Sequence, residues 1–231
     1  MKKIILILAL ALLLCSCTDA STKIGLDRLN WSQSIPIGDG ALKFGDILIG
    51  SPSFDITCYY DGSQAYAVSM DGDKVSLITK SSDNSTAINA ATAEAHGRRD
   101  GGTVTLLNMF ENIDTTINMY GDVSLTGLSK RNTGISGSAD PLINFPEVLA
   151  EHKIRDIIAV SNMKIETTGN NDGIKWWSTS ATGSWRNFYT SIRDLDLVSE
   201  GSGDLMTFYG IQNIGISGCT FRSGYGAPMS W

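Results

Sequence analysis

Three aspartates, Asp140, Asp172 and Asp204, follow one another at steps of 32 residues, and each opens a similar short run: DPLINF, DGIKWW and DLMTFY. If the chain stacks on itself with that period, the three carboxylates form one column, about 4.8 Å apart as neighbouring strands are. Carboxylates that close repel one another. One takes up a proton, or a cation sits between them, or solvent screens them. Two carboxylates with divided protonation can share the acid and base roles of glycoside hydrolysis. Trp176 and Trp177 follow Asp172 in the same run. Strand alternation turns one of them inward and the other outward, and an outward tryptophan beside acids can stack on a sugar ring. The plainer reading has no chemistry in it: Asp and Gly open strands after turns, and tryptophans pack cores.

What would position these residues is a repeat. Val160-Ser161-Asn162-Met163-Lys164-Ile165 aligns with Ile192-Arg193-Asp194-Leu195-Asp196-Leu197 and with Ile216-Ser217-Gly218-Cys219-Thr220-Phe221. Seven residues after the last apolar position of each unit stand Asp172, Asp204 and Pro228. Short strands at a period in the twenties to low thirties predict a solenoid, in which no single turn buries its own apolar face and stacked turns share a core. Only a sharp bend fits between the first two strands of each unit. Asn162, Asp194 and Gly218 occupy it, and all three residue types tolerate left-handed backbone.

Upstream the pattern differs. FDITCYY, QAYAVSM and KVSLITK are short β-prone runs punctuated by Asp61-Gly62 and Asp71-Gly72, which are hairpin turn signals. In NSTAINAATAEAHG, Ile88, Ala91 and Ala95 recur at helical spacing. Ser85 or Thr86 can cap the start of that helix and Gly97 can end it.

The chain begins MKKIILILALALLLCSC, two lysines and then an apolar run too short to span a bilayer permanently. Leu14-Cys15-Ser16-Cys17 resembles a lipobox, with Ser16 as the small residue before the modified cysteine. That resemblance implies an exported, membrane-anchored lipoprotein at the cell surface or envelope. Residues 1–16 are then the signal peptide, Cys17 is the lipid attachment site, and the membrane is met only through the lipid anchor. Loss of residues 1–16 removes two lysines and takes the net charge from −6 to −8. So acidic a chain, without clustered Lys and Arg, excludes nucleic acid as a partner. Cys58 and Cys219 remain; a disulfide between them is open to them, and small buried apolar residues is the favoured reading. His96 and His152 have no partners at zinc-site spacing, and the chain carries no nucleophile elbow or phosphate-binding glycine loop.

From about Asn84 onward the chain resembles the right-handed parallel β-helix of the pectate-lyase-like superfamily. The resemblance rests on a helix followed by a glycine-led first strand, AINAATAEAHGRRDGGTVTLL, and then on GDVSLTGLSKRNTGI as the next turn. Where that family often has Pro-Gly-x-Tyr, this chain has Asn108-Met109-Phe110. The implied fold class is all-β, a right-handed parallel β-helix solenoid with a short N-terminal capping helix. Its divisions are a tether and short β lead over 17–50, a β-hairpin segment over 51–83, and the β-helix, incomplete at its C-terminal end, over 84–231. The fold hosts lyases, hydrolases and adhesins, so it does not by itself name an activity.

Within that resemblance, polygalacturonase-like hydrolases carry Asn-Thr-Asp-Gly, Gly-Asp-Asp and Gly-His-Gly on successive turns. Asn170-Asn171-Asp172-Gly173 resembles the first with Asn171 for Thr, and Gly203-Asp204-Leu205 the second with Leu205 for Asp; the third has no counterpart. The implied catalytic candidates are Asp172 and Asp204, and the implied substrate-binding candidates are Trp176 and Trp177. A lyase would need calcium on acids such as Asp140, Asp172 and Asp204, and an arginine, for which Arg193 and Arg222 are near; no other cofactor is expected. Two functions follow: a surface-anchored protein that binds or displays carbohydrate, or an enzyme degrading acidic polysaccharide. The closing Pro228-Met229-Ser230-Trp231 reads as the start of a further strand without a cap, which predicts either a truncated β-helix or a stacking partner at that end.

Overall fold

The computed structural model describes residues 35–36, 42–44, 47–49, 56–71, 74–98, 101–145, 157–177, 190–209 and 214–224. The signal peptide, Cys17, His152 and the Pro228–Trp231 strand lie outside the described residues. What is described is mostly β, in stacked sheets that are largely parallel.

The first elements are β1 (Ile35–Pro36), β2 (Leu42–Phe44), β3 (Ile47–Ile49), β4 (Ile56–Tyr60), β5 (Ala65–Asp71) and β6 (Lys74–Ser81), followed by helix α1 (Asn84–Gly97). The turn signals hold: β4, β5 and β6 form an antiparallel meander. Its first turn is held by Asp61, whose Oδ1 accepts from the N–H groups of Ser63 and Gln64 at 2.8 and 2.7 Å.

The remaining strands come in threes. β7 (Gly102–Leu106), β8 (Met109–Ile113) and β9 (Ile117–Asn118) make one turn; β10 (Val123–Gly127), β11 (Gly134–Gly137) and β12 (Ile143–Phe145) the next. β13 (Ile157–Ser161), β14 (Lys164–Thr167) and β15 (Ile174–Trp177) follow, then β16 (Thr190–Arg193), β17 (Asp196–Ser199) and β18 (Met206–Tyr209), then β19 (Ile214–Ser217) and β20 (Thr220–Ser223). Each strand pairs in parallel with the one three places on, so β7, β10, β13, β16 and β19 form a first sheet, β8 to β20 a second and β9 to β18 a third. This stacking is compatible with the expected solenoid. The meander joins the first sheet: β4 pairs in parallel with β7, so that sheet runs on through β4, β5 and β6 to β1.

The register read from the repeat is the register found. Val160 pairs with Ile192 and Ile192 with Ile216; Ile165 pairs with Leu197 and Leu197 with Phe221. Inward positions stack as apolar columns, Leu125–Val160–Ile192 and Phe110–Ile135–Ile165–Leu197, all buried. Each such side chain contributes ~1.5–3 kcal/mol when buried. The bend residues Asn162, Asp194 and Gly218 have φ of 56°, 56° and 65°. They are left-handed, as their types allow.

Helix α1 closes the first turn from below. Ala87, Ile88, Ala91 and Ala95 join the core. Its polar residues meet the strand edge: Asn89 Nδ2 donates to Thr116 O at 3.0 Å, Asn89 Oδ1 accepts from Asn118 N at 2.8 Å, and Thr92 Oγ1 donates to Asn118 O at 3.0 Å. Asn84 Nδ2 donates to Glu111 O at 2.6 Å. The backbone groups that would pair with a preceding turn are satisfied by side chains instead. The N-cap is Asp83 and not Ser85 or Thr86: Asp83 Oδ1 accepts from Ser85 N at 2.8 Å and Oδ2 from Thr86 Oγ1 at 2.6 Å. The Thr86 hydroxyl, with the Ser85 and Thr86 N–H groups, holds the Asp83 carboxyl below the usual range. At the other end His96 Nδ1 lies 2.8 Å from Asp122 Oδ1, and its ring stacks on Tyr120 at 4.2 Å.

Candidate functional site

The three aspartates do stand in one column, and the structure adds what each carboxylate touches. Asp172 N donates to Asp140 Oδ1 at 3.0 Å, and Asp204 N donates to Asp172 Oδ1 at 2.9 Å. The carbonyls continue the ladder: Leu142 N donates to Asp172 O at 3.0 Å and Gly173 N to Asp204 O at 2.9 Å. The carboxylates of Asp140 and Asp172 thus carry the backbone contact across the gap between turns, just before the third-sheet strand begins. Two asparagines beside it act alike. Asn171 Nδ2 donates to Ser138 O at 2.7 Å, and Asn170 Oδ1 accepts from Ser202 N at 3.1 Å. The fit between turns is tight here: a Cβ on Gly203 would lie 2.1 Å from Asn171 O.

Asp172 is the middle member and the most constrained. Partial burial pushes its carboxyl above the usual range, and the flanking charges of Asp140 and Asp204 push the same way. The Asp204 N–H and the positive charge of Lys175 oppose them. A half-buried acid with a raised pKa holds its proton to higher pH than a free carboxyl does, which is the direction a general acid needs.

Calcium takes six to eight oxygens; in this column one oxygen each of Asp140 and Asp172 accepts a backbone N–H. Among the described residues no group of three or more His, Cys, Asp or Glu is arranged to hold a metal. The arginines stand apart from the column. Arg222 Nη2 donates to Asp196 Oδ2 at 2.5 Å, and Arg193 is exposed on the first sheet.

Of the two tryptophans, Trp176 takes the inward place. It is 2 % exposed, pairs in register with Phe145 and Phe208, and stacks on Phe145 at 4.2 Å and 10°. A ring so enclosed has no face for a sugar. Trp177 holds the next position, in register with Tyr209, and its side chain lies outside the described residues. Tyr209 is 51 % exposed, one of two exposed large apolar side chains among the described residues. The alignment of DGIKWW with DLMTFY already set a tyrosine beneath the second tryptophan, so the signal for Tyr209 was present in the repeat. The neighbouring outward column of the third sheet is Asn118, Asn144, Lys175 and Thr207.

A second concavity crosses the ends of the second-sheet strands. It has a volume of about 400 Å³ and is lined by Glu111, Asn112, Asp114, Ser136, Ser138 and Thr168. No basic side chain lines it, so it repels polyanions. Cys58 is buried and unpaired, and burial pushes its thiol up; Cys219 is half-buried and also unpaired. No family model matches this chain, and no curated protein or solved structure matches it.

Proposed function

We propose that this chain is a cell-surface lipoprotein with a right-handed parallel β-helix of the pectate-lyase-like kind, anchored through Cys17, which binds or displays carbohydrate. The observation that carries the binding reading is the outer face of the third sheet. Exposed Tyr209 shares a register column with Trp177 there, beside a polar column of Asn118, Asn144, Lys175 and Thr207. An aromatic face with adjacent amides and hydroxyls suits the apolar face and polar rim of a sugar. Lys175 supplies attraction for acidic glycans. Affinity electrophoresis of the full chain on a panel of neutral and uronic-acid polysaccharides tests it. Retardation that is lost in Tyr209→Ala supports the reading; no retardation on any glycan overturns it.

A second reading, hydrolysis or lyase cleavage of acidic polysaccharide, draws on Asp172, whose carboxyl is raised between Asp140 and Asp204. Reducing-end or unsaturated product that disappears in Asp172→Asn and Asp204→Asn supports this reading. Glycan binding without product supports display. The anchor is tested separately: labelled fatty acid enters the wild-type chain and not Cys17→Ala.

The last described layer supports a stacking partner. Ile214, Ile216, Cys219 and Phe221 are only partly buried, while Ile192, Leu195 and Leu197, one turn earlier, are fully buried. Sedimentation over a wide concentration range tests whether copies associate, and a compact monomer throughout overturns the stacking proposal.

A further inference from the structure

In four of the five turns the bend between the first and second sheets takes two residues: Leu107-Asn108, Asn162-Met163, Asp194-Leu195 and Gly218-Cys219. In the second turn it takes six, residues 128–133, between β10 and β11. The coil does not need that length, since the other turns close the same bend without it. The loop is nonetheless well built. Thr133 Oγ1 donates to Ser129 O at 2.7 Å and accepts from Ser129 N at 3.0 Å, and Asn132 N donates to Ser129 O at 3.3 Å. It does not bury its own side chains: Leu128 is 39 % exposed, and Arg131 in the same loop is exposed too.

Positive charge gathers at this corner. Lys130 Nζ reaches past two intervening bends to donate to Gly218 O at 3.4 Å, and Arg193 ends β16 in register with Ser217, the residue before Gly218. Other cations are engaged elsewhere: Lys164 with Glu166 at 2.7 Å, Arg222 with Asp196 at 2.5 Å, and Arg98 with Ser69 at 2.7 Å. Lys130, Arg131 and Arg193 form no ion pair among the described residues. The anion beside them is Asp194, whose Oδ1 lies against Gly218. Three cations thus meet one carboxylate at a single corner of a chain whose net charge is −6. The concavity at the other end of the second-sheet strands carries Glu111 and Asp114 instead. A field divided in this way turns the basic corner, and not the acidic remainder, toward an anionic surface.

We infer that residues 128–133 and Arg193 form a docking site for an anionic membrane surface, with Lys130, Arg131 and Arg193 on lipid phosphates and Leu128 in the interface. A leucine among basic residues joins apolar burial to attraction for acidic headgroups, the combination that interfacial segments use. The choice of a membrane rests on the lipid-anchored reading, which holds the chain beside one. The docking contact is then a second attachment, and it fixes which side of the coil faces the bilayer.

Co-sedimentation with vesicles tests the contact without the anchor, using the mature chain, residues 17–231, with Cys17→Ala. Vesicles of mixed phosphatidylcholine and phosphatidylglycerol are expected to take up the protein, phosphatidylcholine alone is expected to leave it in solution, and uptake falls as salt rises. Each of Lys130→Gln, Arg131→Gln and Arg193→Gln lowers uptake about fivefold, and Leu128→Ala lowers it at every salt concentration. Asp194→Asn, of the residue type that Asn162 already supplies at this bend, raises uptake, a gain that impaired folding cannot produce. No uptake, equal uptake by both vesicles, or uptake unchanged in the three Gln variants overturns the inference. So does a corner that the Gln variants show to bind polygalacturonate or a second copy of the chain and not vesicles. Labelled fatty acid absent from the wild-type chain, with vesicle uptake intact, removes the anchor and leaves this contact standing.

Discussion

Two polar columns run along the coil, and their different tolerance of residue type shows what each is for. The bend column holds Asn162, Asp194 and Gly218, three different side chains at one backbone conformation, φ near +60°. Its shared requirement is conformational, met by any residue at ease in the left-handed region; Asn162 adds a bond of its own, from Nδ2 to Gly127 O at 3.0 Å, which glycine in the same column does without. The column ahead of the third sheet holds Asp140, Asp172 and Asp204, one side chain three times, without left-handed backbone. Its requirement is a carboxylate oxygen that reaches the N–H of the next turn, at 3.0 and 2.9 Å. Glycine serves in the first column and cannot serve in the second. A repeat compared with itself thus separates shape from hydrogen bonding without any relative to consult.

The comparison can be broken by substitution. The largest effect is expected from Gly203→Ala, whose Cβ would stand 2.1 Å from the Asn171 carbonyl and push successive turns apart. A loss of about 3 kcal/mol in denaturant unfolding is expected, at the upper end of overpacking costs. Next comes a matched pair. Asp172→Gly strands the Asp204 N–H and costs about 2 kcal/mol, whereas Asp194→Gly keeps a backbone that glycine prefers and stays within about 0.5 kcal/mol. The reverse order would show that the two columns have been assigned the wrong way round.

A smaller effect concerns charge. Asp172 has a folded-state pKa above its unfolded one. The folded protein therefore binds more protons between the two values, and the stability this group contributes is present below the unfolded value and lost as pH rises through the folded one. Asp172→Asn keeps an acceptor oxygen and drops the charge. It is expected to be more stable than wild type at about pH 7, with the advantage gone at about pH 3, where both side chains are neutral. Equal pH profiles would remove Asp172 as a perturbed acid. The smallest structural effect belongs to Tyr209→Ala, within about 0.5 kcal/mol for an exposed site, while glycan retardation is expected to vanish.

Much of this architecture was legible in the residues. Period two and the offsets of 32 and 24 residues specify which strands stack, because a one-residue slip would turn Ile165, Leu197 and Phe221 outward. The bend was legible because only a few residue types tolerate left-handed backbone. Three features were not. Asp83 caps α1 where Ser85 or Thr86 was expected, since any of these types can cap and only tertiary packing decides which residue is left outside the first turn. The parallel pairing of β4 with β7 joins strands separated by a hairpin and a helix, which no local pattern records. The side chain of Asn108 was a departure from a family motif on paper. In the fold it bonds both Tyr60 N and Tyr60 O, at 3.0 and 2.5 Å, and finishes the pairing of β4. For the site, spacing located the aspartate column, but only hydrogen-bond geometry revealed that two of its carboxylates are engaged by backbone.

The side chains that α1 spends on the strand edge also give the molecule a polarity. Asn89 and Thr92 occupy the backbone groups of Thr116 and Asn118 that an incoming strand would use, so the third sheet is closed to a further strand on that edge. If copies stack as proposed, they do so away from this helix, and two copies that meet through one shared face close as a two-fold pair rather than a head-to-tail filament.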